Sequence, residues 1–455
     1  MDSILHGITN EKLKEILKGI YARDPDQPEY LNAVNEVAKS IQPLLDTDER
    51  YLPIFSQMCE PERQIIFRVP WLDDQNNLRV NRGYRVQFSS AIGPYKGGTR
   101  FHRSVNLSII KMLGYEQVFK NALTTLPLGA GKGGSDFDPK GKSDGEIMRF
   151  CQSYMTELAR YVAGDVDVPA GDIGVGGKEI GYMYGQYKRL NGGKFEGALT
   201  GKGMSYGGSW CRPEATGFGV VFLAREFLPD IGVELKGARC ALSGSGNVAR
   251  FCASKLEWSG AKVVSMSDSK GTLIEPDGFT KEQLQQVRDI KSTHNGSLED
   301  YVSDTCVYLG NRQKPWQAKE LERIDVAFPC ATQNELDEAD VDALVKKGCK
   351  AIIEGANMPT TAAGVDRALA HKLGFVPGKM ANSGGVAVSG LEMAQNRSML
   401  AWEGREVYEK LEKIMREVYV HSKKCAEDYN VSLADGANIY AFLKVGSAVM
   451  DQGAV

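Results

Sequence analysis

Several signals that commonly identify a class of protein are missing from this sequence. The nine cysteines contain no CxxC pair, and the five histidines do not repeat at metal-ligand spacing, so no metal site is expected. Scattered cysteines in odd number favour reduced thiols and a cytoplasmic protein. No apolar run approaches about 18 residues, so we expect no membrane-spanning helix. The first residues also lack the basic and apolar regions of a secretory signal.

Net charge is also small. The formal net charge of −3 gives no reason to expect affinity for nucleic acid or for an anionic membrane. A length of 455 residues predicts two domains, and an apolar content of 42% allows large cores. Glycine, by contrast, is abundant: the chain has 50 glycines, more than the usual share of about 7%. They concentrate around the motifs and predict loops that approach a ligand closely.

Three lysines with small or amide neighbours lie in the stretch that ends at Asp172. Lys96 and Lys132 stand beside glycines, and Lys120 precedes an asparagine. Taken singly, such a lysine is as a rule a solvated loop residue, and such an aspartate a turn or N-cap residue. The apolar residues before Lys120 and Lys132 favour shifted pKa values instead, as in catalytic lysines. Together the three lysines predict a site for a small polyanion, with a carboxylate that moves protons.

A dinucleotide-binding fingerprint begins the second half of the chain. Gly244–Ala249 matches GxGxxA, follows a predicted strand at 238–242 and opens a predicted helix, and Asp268 follows about twenty residues later. The glycines allow a pyrophosphate to approach the amides of the helix N-terminus. We therefore expect an adenine dinucleotide to bind here.

The residues after the second predicted strand of this region leave NAD and NADP open. Asp268 is placed to bind the ribose 2′-hydroxyl of NAD. The hydroxyls of Ser267 and Ser269, with the charge of Lys270, are suited to the 2′-phosphate of NADP. Two further cationic candidates for this phosphate are Lys291 and His294.

A phosphate-binding P-loop is the alternative reading of Lys132, and it fails. The motif GxxxxGK[ST] requires glycine at position 126 and Ser or Thr at 133, whereas the chain has Leu126 and Gly133. A phosphotransferase is therefore disfavoured. Nicotinamide chemistry, lysines that bind carboxylates and a proton-carrying aspartate instead fit oxidation at a carbon that bears an amine or a hydroxyl next to a carboxylate.

The order of predicted elements indicates an α/β protein with two domains. Residues 1–48 show the spacing of two amphipathic helices, 62–90 that of strands, and the chain from 237 a strand–helix–strand pattern typical of a doubly wound sheet. The small and polar residues of 195–217 predict the boundary. We expect an N-terminal α/β substrate-binding and assembly domain over 1–200 and a Rossmann-type dinucleotide-binding domain over 201–380. C-terminal helices over 381–455 are expected to return to the first domain.

Five segments, in order along nearly the whole chain, resemble the hexameric glutamate dehydrogenases, most closely the small NADP-dependent type. They are 93–101, 126–134, 168–174, 212–217 and 381–389. The resemblance implies reversible oxidative deamination of L-glutamate to 2-oxoglutarate and ammonium, with NADP preferred and NAD possible. It also implies a homohexamer, in which the N-terminal helices have an interface role.

The resemblance further implies roles for individual residues. Lys132 would activate water, and Asp172 would carry protons to and from the substrate nitrogen. Residues that would hold the substrate are Lys96 with Ser389 at the γ-carboxylate, Lys120 with Gln117 at the α-carboxylate, and Gly171, Thr200, Arg212 and Val386 at the pocket or hinge. Residues of the cofactor site would be Thr216, Ser243, Gly244, Ser245, Gly246, Asn247, Val248 and Asn357.

Lys96 favours glutamate over apolar substrates. Relatives that act on leucine or phenylalanine are similar but carry an apolar residue where Lys96 stands, and a buried lysine without a partner would be costly with an apolar substrate. Two alternatives stay open: an NAD-dependent amino-acid dehydrogenase of related type, and a non-catalytic dinucleotide or metabolite sensor on the same fold. The intact set of lysines and Asp172 argues against the sensor.

Overall fold

The computed structural model of the chain describes residues 5, 7–292 and 296–453, so His294 lies outside the described residues. The chain divides into two compact units. The first comprises the described residues of 1–212, 386–407 and 422–455, and the second those of 213–385 and 408–421. None of the helices in the described ranges combines the length and the apolar composition that a membrane span requires.

The first unit is built on a mixed five-stranded sheet. Its strands are β1 (Arg63–Leu72), β2 (Leu78–Ser89), β3 (Tyr95–Phe101), β4 (Ala130–Ser135) and β5 (Asp167–Gly171). The strand order is β1-β2-β4-β3-β5. β2 is antiparallel to both of its neighbours, whereas β3 is parallel to β4 and β5. β3 therefore lies between β4 and β5.

Six helices precede the second unit in sequence. They are α1 (Glu11–Arg23), α2 (Pro28–Thr47), α3 (Tyr51–Met58), α4 (Leu107–Leu123), α5 (Asp144–Leu158) and α6 (Gly177–Leu190). α1 begins at Glu11 because the side chain of Asn10 caps it by accepting a hydrogen bond from the Leu13 amide. The predicted pair of helices over 1–48 is confirmed as α1 and α2, but its start was wrong, since Ile8 precedes the cap. The sequence pattern did not indicate α3.

The glycine-rich segments around Lys96 and Lys132 form strands, and our expectation of ligand-approaching loops there was wrong. Glycine has a low strand propensity, so local pattern argues against β3 and β4. A Cβ atom at Gly97 would lie 1.7 Å from the carbonyl oxygen of Gly131, and one at Gly131 would lie 3.2 Å from Nη2 of Arg85. Glycine is required here because neighbouring strands and side chains lie too close for a larger residue.

The second unit contains a seven-stranded sheet, and the predicted Rossmann-type arrangement of parallel strands is confirmed. Its strands are β6 (Arg239–Leu242), β7 (Lys262–Ser267), β8 (Thr272–Ile274), β9 (Val307–Leu309), β10 (Val326–Phe328), β11 (Ala351–Ile353) and β12 (Gly374–Val376). The strand order is β12-β11-β10-β6-β7-β8-β9. The five strands from β12 to β7 are parallel. The chain leaves β6 for β7 on one side and later returns to β10 on the other, so the topological switch point lies at the end of β6, where such sheets bind ligands.

Helices cover this sheet and complete the chain. Those before the C-terminal region are α7 (Ala215–Phe227), α8 (Asn247–Trp258), α9 (Lys281–Ser292), α10 (Glu338–Lys346), α11 (Ala362–Ala370) and α12 (Gly378–Ala381). The last three are α13 (Gly384–Ser398), α14 (Gly404–Tyr429) and α15 (Leu433–Gln452). The predicted helices of the C-terminal region are confirmed. α15 packs against α2 and α4 in the first unit.

Each unit has its own apolar core. In the first, the rings of Phe137 and Phe150 stack with centroids 3.7 Å apart, and Phe101 meets Phe150 edge-on. In the second, the fully buried Trp316 belongs to an apolar cluster that includes Ile352 on β11 and Leu344 on α10. These cores hold the strand ends that carry the motif residues.

Candidate active site

The lysines and Asp172 of the first unit converge at β3. Lys96 lies on β3, Lys132 on β4 and Lys120 on α4, and Asp172 directly follows β5. Because β4 and β5 flank β3, Lys132 and Asp172 approach each other across it. Nζ of Lys132 lies 3.0 Å from Oδ2 of Asp172.

A second cation shares that carboxylate oxygen. Nε of Arg100, on β3, lies 3.1 Å from Oδ2 of Asp172. Burial acts to raise the pKa of Asp172, but the charges of Lys132 and Arg100 outweigh it and hold that pKa far below its usual range. Burial lowers the pKa of Lys132, partly opposed by Asp172. Asp172 is thus an ionised acceptor beside a lysine that loses its proton more easily than an exposed one.

Gly98 provides the space for this pair. A Cβ atom at Gly98 would lie 2.9 Å from Cβ of Asp172 and 3.2 Å from Nζ of Lys132. Contacts below about 3.0 Å are not tolerated without movement of the backbone or of the side chain. The glycine between Lys96 and Arg100 is therefore part of the site.

Lys96 and Lys120 are cations without a counter-ion. In the described part of the chain, no carboxylate lies within ion-pair distance of either, whereas Lys132 has Asp172. Lys96 is buried, and burial together with the charge of Arg212 lowers its pKa well below the usual value. Lys120 is half-buried, and burial together with the charge of Lys132 lowers its pKa to about 8. Uncompensated buried charge favours binding of an anion.

Arg212, expected at the pocket or hinge, contacts Ser389, expected at the γ-carboxylate. Nε of Arg212 donates to Oγ of Ser389 on α13 at 3.0 Å. One turn further along α13, Glu392 forms a fully buried ion pair with Lys202 at 2.8 Å. This pair fixes the segment 199–203 against α13, because Glu392 also accepts the Gly201 amide at 2.9 Å.

Gln117 is linked to β3 through a residue that the sequence did not single out. Nε2 of Gln117 donates to Oδ1 of Asn121 at 2.6 Å, and Nδ2 of Asn121 donates to the carbonyl of Lys96 at 3.0 Å. Asn121 lies four residues after Gln117 on α4, so helical spacing was a usable signal. Through Asn121, the helix that carries Lys120 is held against the strand that carries Lys96.

The remaining predicted substrate residues lie near the same strand ends. Gly171 ends β5, and a Cβ atom there would lie 2.5 Å from the Val175 carbonyl oxygen. Thr200 donates its amide to Pro169 at 3.0 Å, and its buried hydroxyl has no hydrogen-bond partner among the described residues. Val386 is half-buried on α13, three residues before Ser389 and so on the same face.

In the second unit, the glycine fingerprint forms a tight turn from β6 into α8. Gly244 has φ +84°, and a Cβ atom there would lie 2.9 Å from the Cys330 carbonyl oxygen. Gly246 is the N-cap of α8 and supplies no side-chain cap, and a Cβ atom there would meet nothing within 4 Å. Open space and a helix N-terminus, whose first amides have no partner within the helix, fit a pyrophosphate.

Two serines of the predicted cofactor set hold this turn together. Oγ of Ser267 accepts the Gly244 amide at 2.8 Å, and Oγ of Ser243 accepts the Cys330 amide at 2.9 Å. The hydroxyls of Ser243 and Ser267 are therefore engaged in shaping the turn. Of the other predicted fingerprint residues, Ser245 is buried, Asn247 is exposed and donates to Pro213 at 2.7 Å, and Val248 is half-buried.

Asp268 is also engaged within the protein. Its Oδ2 accepts the Leu298 amide at 2.9 Å and lies 3.6 Å from Nζ of Lys291. Its Oδ1 accepts the Lys270 amide at 3.0 Å. Burial opposes ionisation, but these amides and Lys291 keep the pKa of Asp268 below its usual value. Both carboxylate oxygens thus tie loops together, which disfavours a ribose ligand.

The other predicted cofactor residues lie at the surface or at strand ends. Ser269 and Lys270 are exposed, and Lys270 forms an exposed ion pair of 3.5 Å with Glu299. Thr216 lies in the first turn of α7. Asn357 follows β11, and its Oδ1 accepts a hydrogen bond from Asn382 at 2.8 Å. The residues described here include no group of three or more His, Cys, Asp or Glu side chains that could hold a metal ion.

Two family models match the chain. The model described as Glu/Leu/Phe/Val dehydrogenase, dimerisation domain, matches residues 61–189, and the model described as Glutamate/Leucine/Phenylalanine/Valine dehydrogenase matches residues 207–453. Together they cover both the lysine site and the fingerprint.

Individual proteins are similar over nearly the whole chain. An NADP-specific glutamate dehydrogenase of Chlorella sorokiniana is 57% identical over 456 residues, which covers 100% of this chain and 86% of that protein. An NADP-specific glutamate dehydrogenase of Giardia intestinalis is 50% identical over 450 residues, which cover 98% of this chain and 99% of that protein. The solved structure of Plasmodium falciparum glutamate dehydrogenase has a TM-score of 0.95 at 47% identity, covering 98% of this chain and 95% of that one. The chain therefore belongs to the glutamate/leucine/phenylalanine/valine dehydrogenase family.

Proposed function

We propose that this protein is an NADP-dependent glutamate dehydrogenase, which interconverts L-glutamate with 2-oxoglutarate and ammonium. The observation that carries the proposal is the pair of lysines without counter-ions, Lys96 and Lys120, beside the ion pair of Lys132 and Asp172. A five-carbon dicarboxylate supplies one anion to each lysine. The activity for which the two curated relatives are named supports the same substrate.

The lysines position the substrate. Lys120, whose helix also carries Gln117, takes the α-carboxylate. Lys96 takes the γ-carboxylate, and Arg212, whose charge acts on Lys96, donates a hydrogen bond to Ser389. Burial of Lys96 makes its charge effective, because little water competes for it. A substrate without a second carboxylate would leave this charge without a counter-ion.

Lys132 and Asp172 perform the proton transfers. When bound, NADP would supply the hydride acceptor for oxidation at the substrate α-carbon, which turns the amine of the substrate into an iminium ion. Neutral Lys132 takes a proton from water as its oxygen bonds to the iminium carbon, which gives a carbinolamine. Asp172 relays the proton from Lys132 to the nitrogen, which leaves Lys132 neutral again. Ammonia then leaves as the carbinolamine hydroxyl gives its proton to Lys132 and the carbonyl of 2-oxoglutarate forms. The lowered pKa of Lys132 suits a general base near neutral pH.

The cofactor would be held mainly by the fingerprint turn. The amides of Ser245, Gly246 and Asn247, at the start of α8, would meet the pyrophosphate. Ser269 and Lys270 are exposed and so available to a 2′-phosphate, whereas Asp268 is committed to protein amides. This arrangement favours NADP over NAD.

Initial rates with NADPH and with NADH, each with 2-oxoglutarate and ammonium and followed at 340 nm, test the proposal. We expect a rate with NADPH at least tenfold that with NADH. A preference for NADH would keep the chemistry and assign Asp268 to the ribose. No rate with either cofactor would reject the enzyme and favour a sensor of dinucleotides or metabolites.

Assembly as a homohexamer and a cytoplasmic location belong to the same proposal. β1 is an edge strand, and four apolar residues of β1 and β2 are exposed by 43% to 67%: Ile66, Leu72, Leu78 and Val80. An exposed apolar edge of this kind favours pairing with a second copy, and light scattering after gel filtration measures the assembly. The nine free thiols fit a reducing compartment.

A further inference from the structure

Arg100 occupies a position that neither the sequence motifs nor the proposed mechanism uses. It lies on β3 four residues after Lys96, and therefore on the same face of the strand. Its Nε and Nζ of Lys132 approach a single oxygen, Oδ2 of Asp172, at 3.1 and 3.0 Å. The side chains of Arg100 and Asp172 are 14% and 15% exposed, so water screens the contact weakly.

Two cations on one carboxylate have a consequence for proton transfer. With Lys132 as its only partner, Asp172 would become a buried charge without a counter-ion whenever Lys132 released its proton, and this would oppose the release. An arginine side chain stays protonated at any pH at which the protein is folded. Arg100 therefore keeps Asp172 paired in both protonation states of Lys132.

Charged groups on the surrounding elements do not replace this pairing. They are Arg85 on β2, Lys96 on β3, Asp167 on β5, Lys120 and Glu116 on α4, Glu179 on α6, and Arg212. Among the described residues, only Arg100 and Lys132 lie within ion-pair distance of Asp172. Arg85 pairs instead with Asp167, and Glu179 accepts the Gly176 amide at the start of α6.

We propose that Arg100 is a positioning residue, which holds Asp172 as a paired carboxylate while Lys132 exchanges its proton with water. The inference rests on the proposed function, since it concerns the protons of that reaction. Loss of the Arg100 charge removes its repulsion of protonated Lys132. It also makes Lys132 the remaining ion-pair partner of Asp172 among the described residues. Both changes raise the pKa of Lys132, so the lysine would stay protonated to higher pH.

The pH profile of kcat for glutamate oxidation tests this role. In Arg100→Met the acid limb should move upward by about one pH unit, so that the rate on that limb falls about tenfold and recovers at higher pH. Arg100→Lys, which keeps a charge, should retain most of the wild-type position of the limb. The matched control is Arg103→Met, which removes an exposed arginine three residues later and should leave the profile unchanged.

Other outcomes overturn the inference. If the acid limb of the kcat profile stays in place in Arg100→Met, Arg100 has only a structural role. A rate that falls equally at every pH would show the same. If Arg100→Met does not fold, Arg100→Gln, which keeps donors without the charge, carries the same test.

The proposed function and the inference fail in different experiments. An inactive wild-type protein would reject the function. The pH dependence of acetic anhydride labelling at Lys132, read by peptide mass spectrometry, still measures the lysine without turnover. A midpoint raised by about one pH unit in Arg100→Met would support the role of Arg100, and an unchanged midpoint would overturn it.

Discussion

The lysine site of the first unit and the fingerprint turn of the second are both rich in glycine, but they use it differently. At Gly98 the missing side chain makes room for charged groups of the protein, since a Cβ atom would lie 3.2 Å from Nζ of Lys132. At Gly246 an added Cβ atom would meet no other atom within 4 Å. The first site thus binds with buried side-chain charge, and the second is shaped to bind with backbone amides.

This contrast predicts that the two sites differ in their sensitivity to the loss of a side chain. Removing a side chain should damage the first site severely and the second very little. Adding a single Cβ atom should damage the second site, because its turn requires a positive φ at Gly244. The following substitutions sharpen or break the contrast.

Lys132→Ala should have the largest effect. It removes the base that activates water, so kcat should fall by about 10²- to 10⁴-fold. Binding of NADPH, measured by its fluorescence, should change less than about twofold, because the fingerprint turn does not use this lysine. Lys140→Ala, at an exposed position, is the control. Full activity in Lys132→Ala would disprove the mechanism.

Lys96→Leu should come next. Loss of a charge-assisted contact with the γ-carboxylate should lower kcat/KM for glutamate by about 10- to 100-fold. Apolar amino acids should become substrates, because the buried positive charge that opposes them is gone. Thermal unfolding should show that the variant folds, since leucine is better suited than lysine to a buried position. Unchanged glutamate kinetics would reject the role of Lys96.

Gly244→Ala should weaken cofactor binding about tenfold. Alanine at φ +84° is strained by roughly 1–2 kcal/mol, and its Cβ atom would press on the Cys330 carbonyl 2.9 Å away. Isothermal titration with NADPH measures the loss. Gly185→Ala in α6, where a Cβ atom meets nothing within 4 Å, should leave binding unchanged. Equal affinities in the two variants would contradict a turn that depends on glycine.

Ser245→Ala should have the smallest effect. If amides rather than hydroxyls of the turn hold the pyrophosphate, the dissociation constant of NADPH should rise less than about threefold. A change of this size corresponds to the loss of at most one weak hydrogen bond. The same titration measures it. A loss of a hundredfold would show that the second site also depends on a side chain, and the contrast between the two sites would fail.

Sequence patterns predicted much of the fold for local reasons. Helical spacing identified α1 and α2, and the fingerprint in its strand–turn–helix context identified β6 and α8. The roles of Lys96, Lys120 and Lys132 stay predictions, which the geometry makes chemically coherent.

Other features depend on which strands are neighbours. Arg85 on β2 reaches across two strands to pair with Asp167 on β5, with both side chains fully buried. The strand order places these residues together, although 82 positions separate them in sequence. No local pattern encodes such a pairing.

The sequence by itself determined which chemical groups this protein has: three lysines and an aspartate in specific motifs, and a glycine turn that opens a helix. Only the tertiary structure decided how these groups are paired. It joined Arg100 and Lys132 on one oxygen of Asp172, left Lys96 and Lys120 without counter-ions, and committed Asp268 to loop amides. The physical reason is that charge pairing depends on distances across the sheet, which are set by long-range strand order and packing.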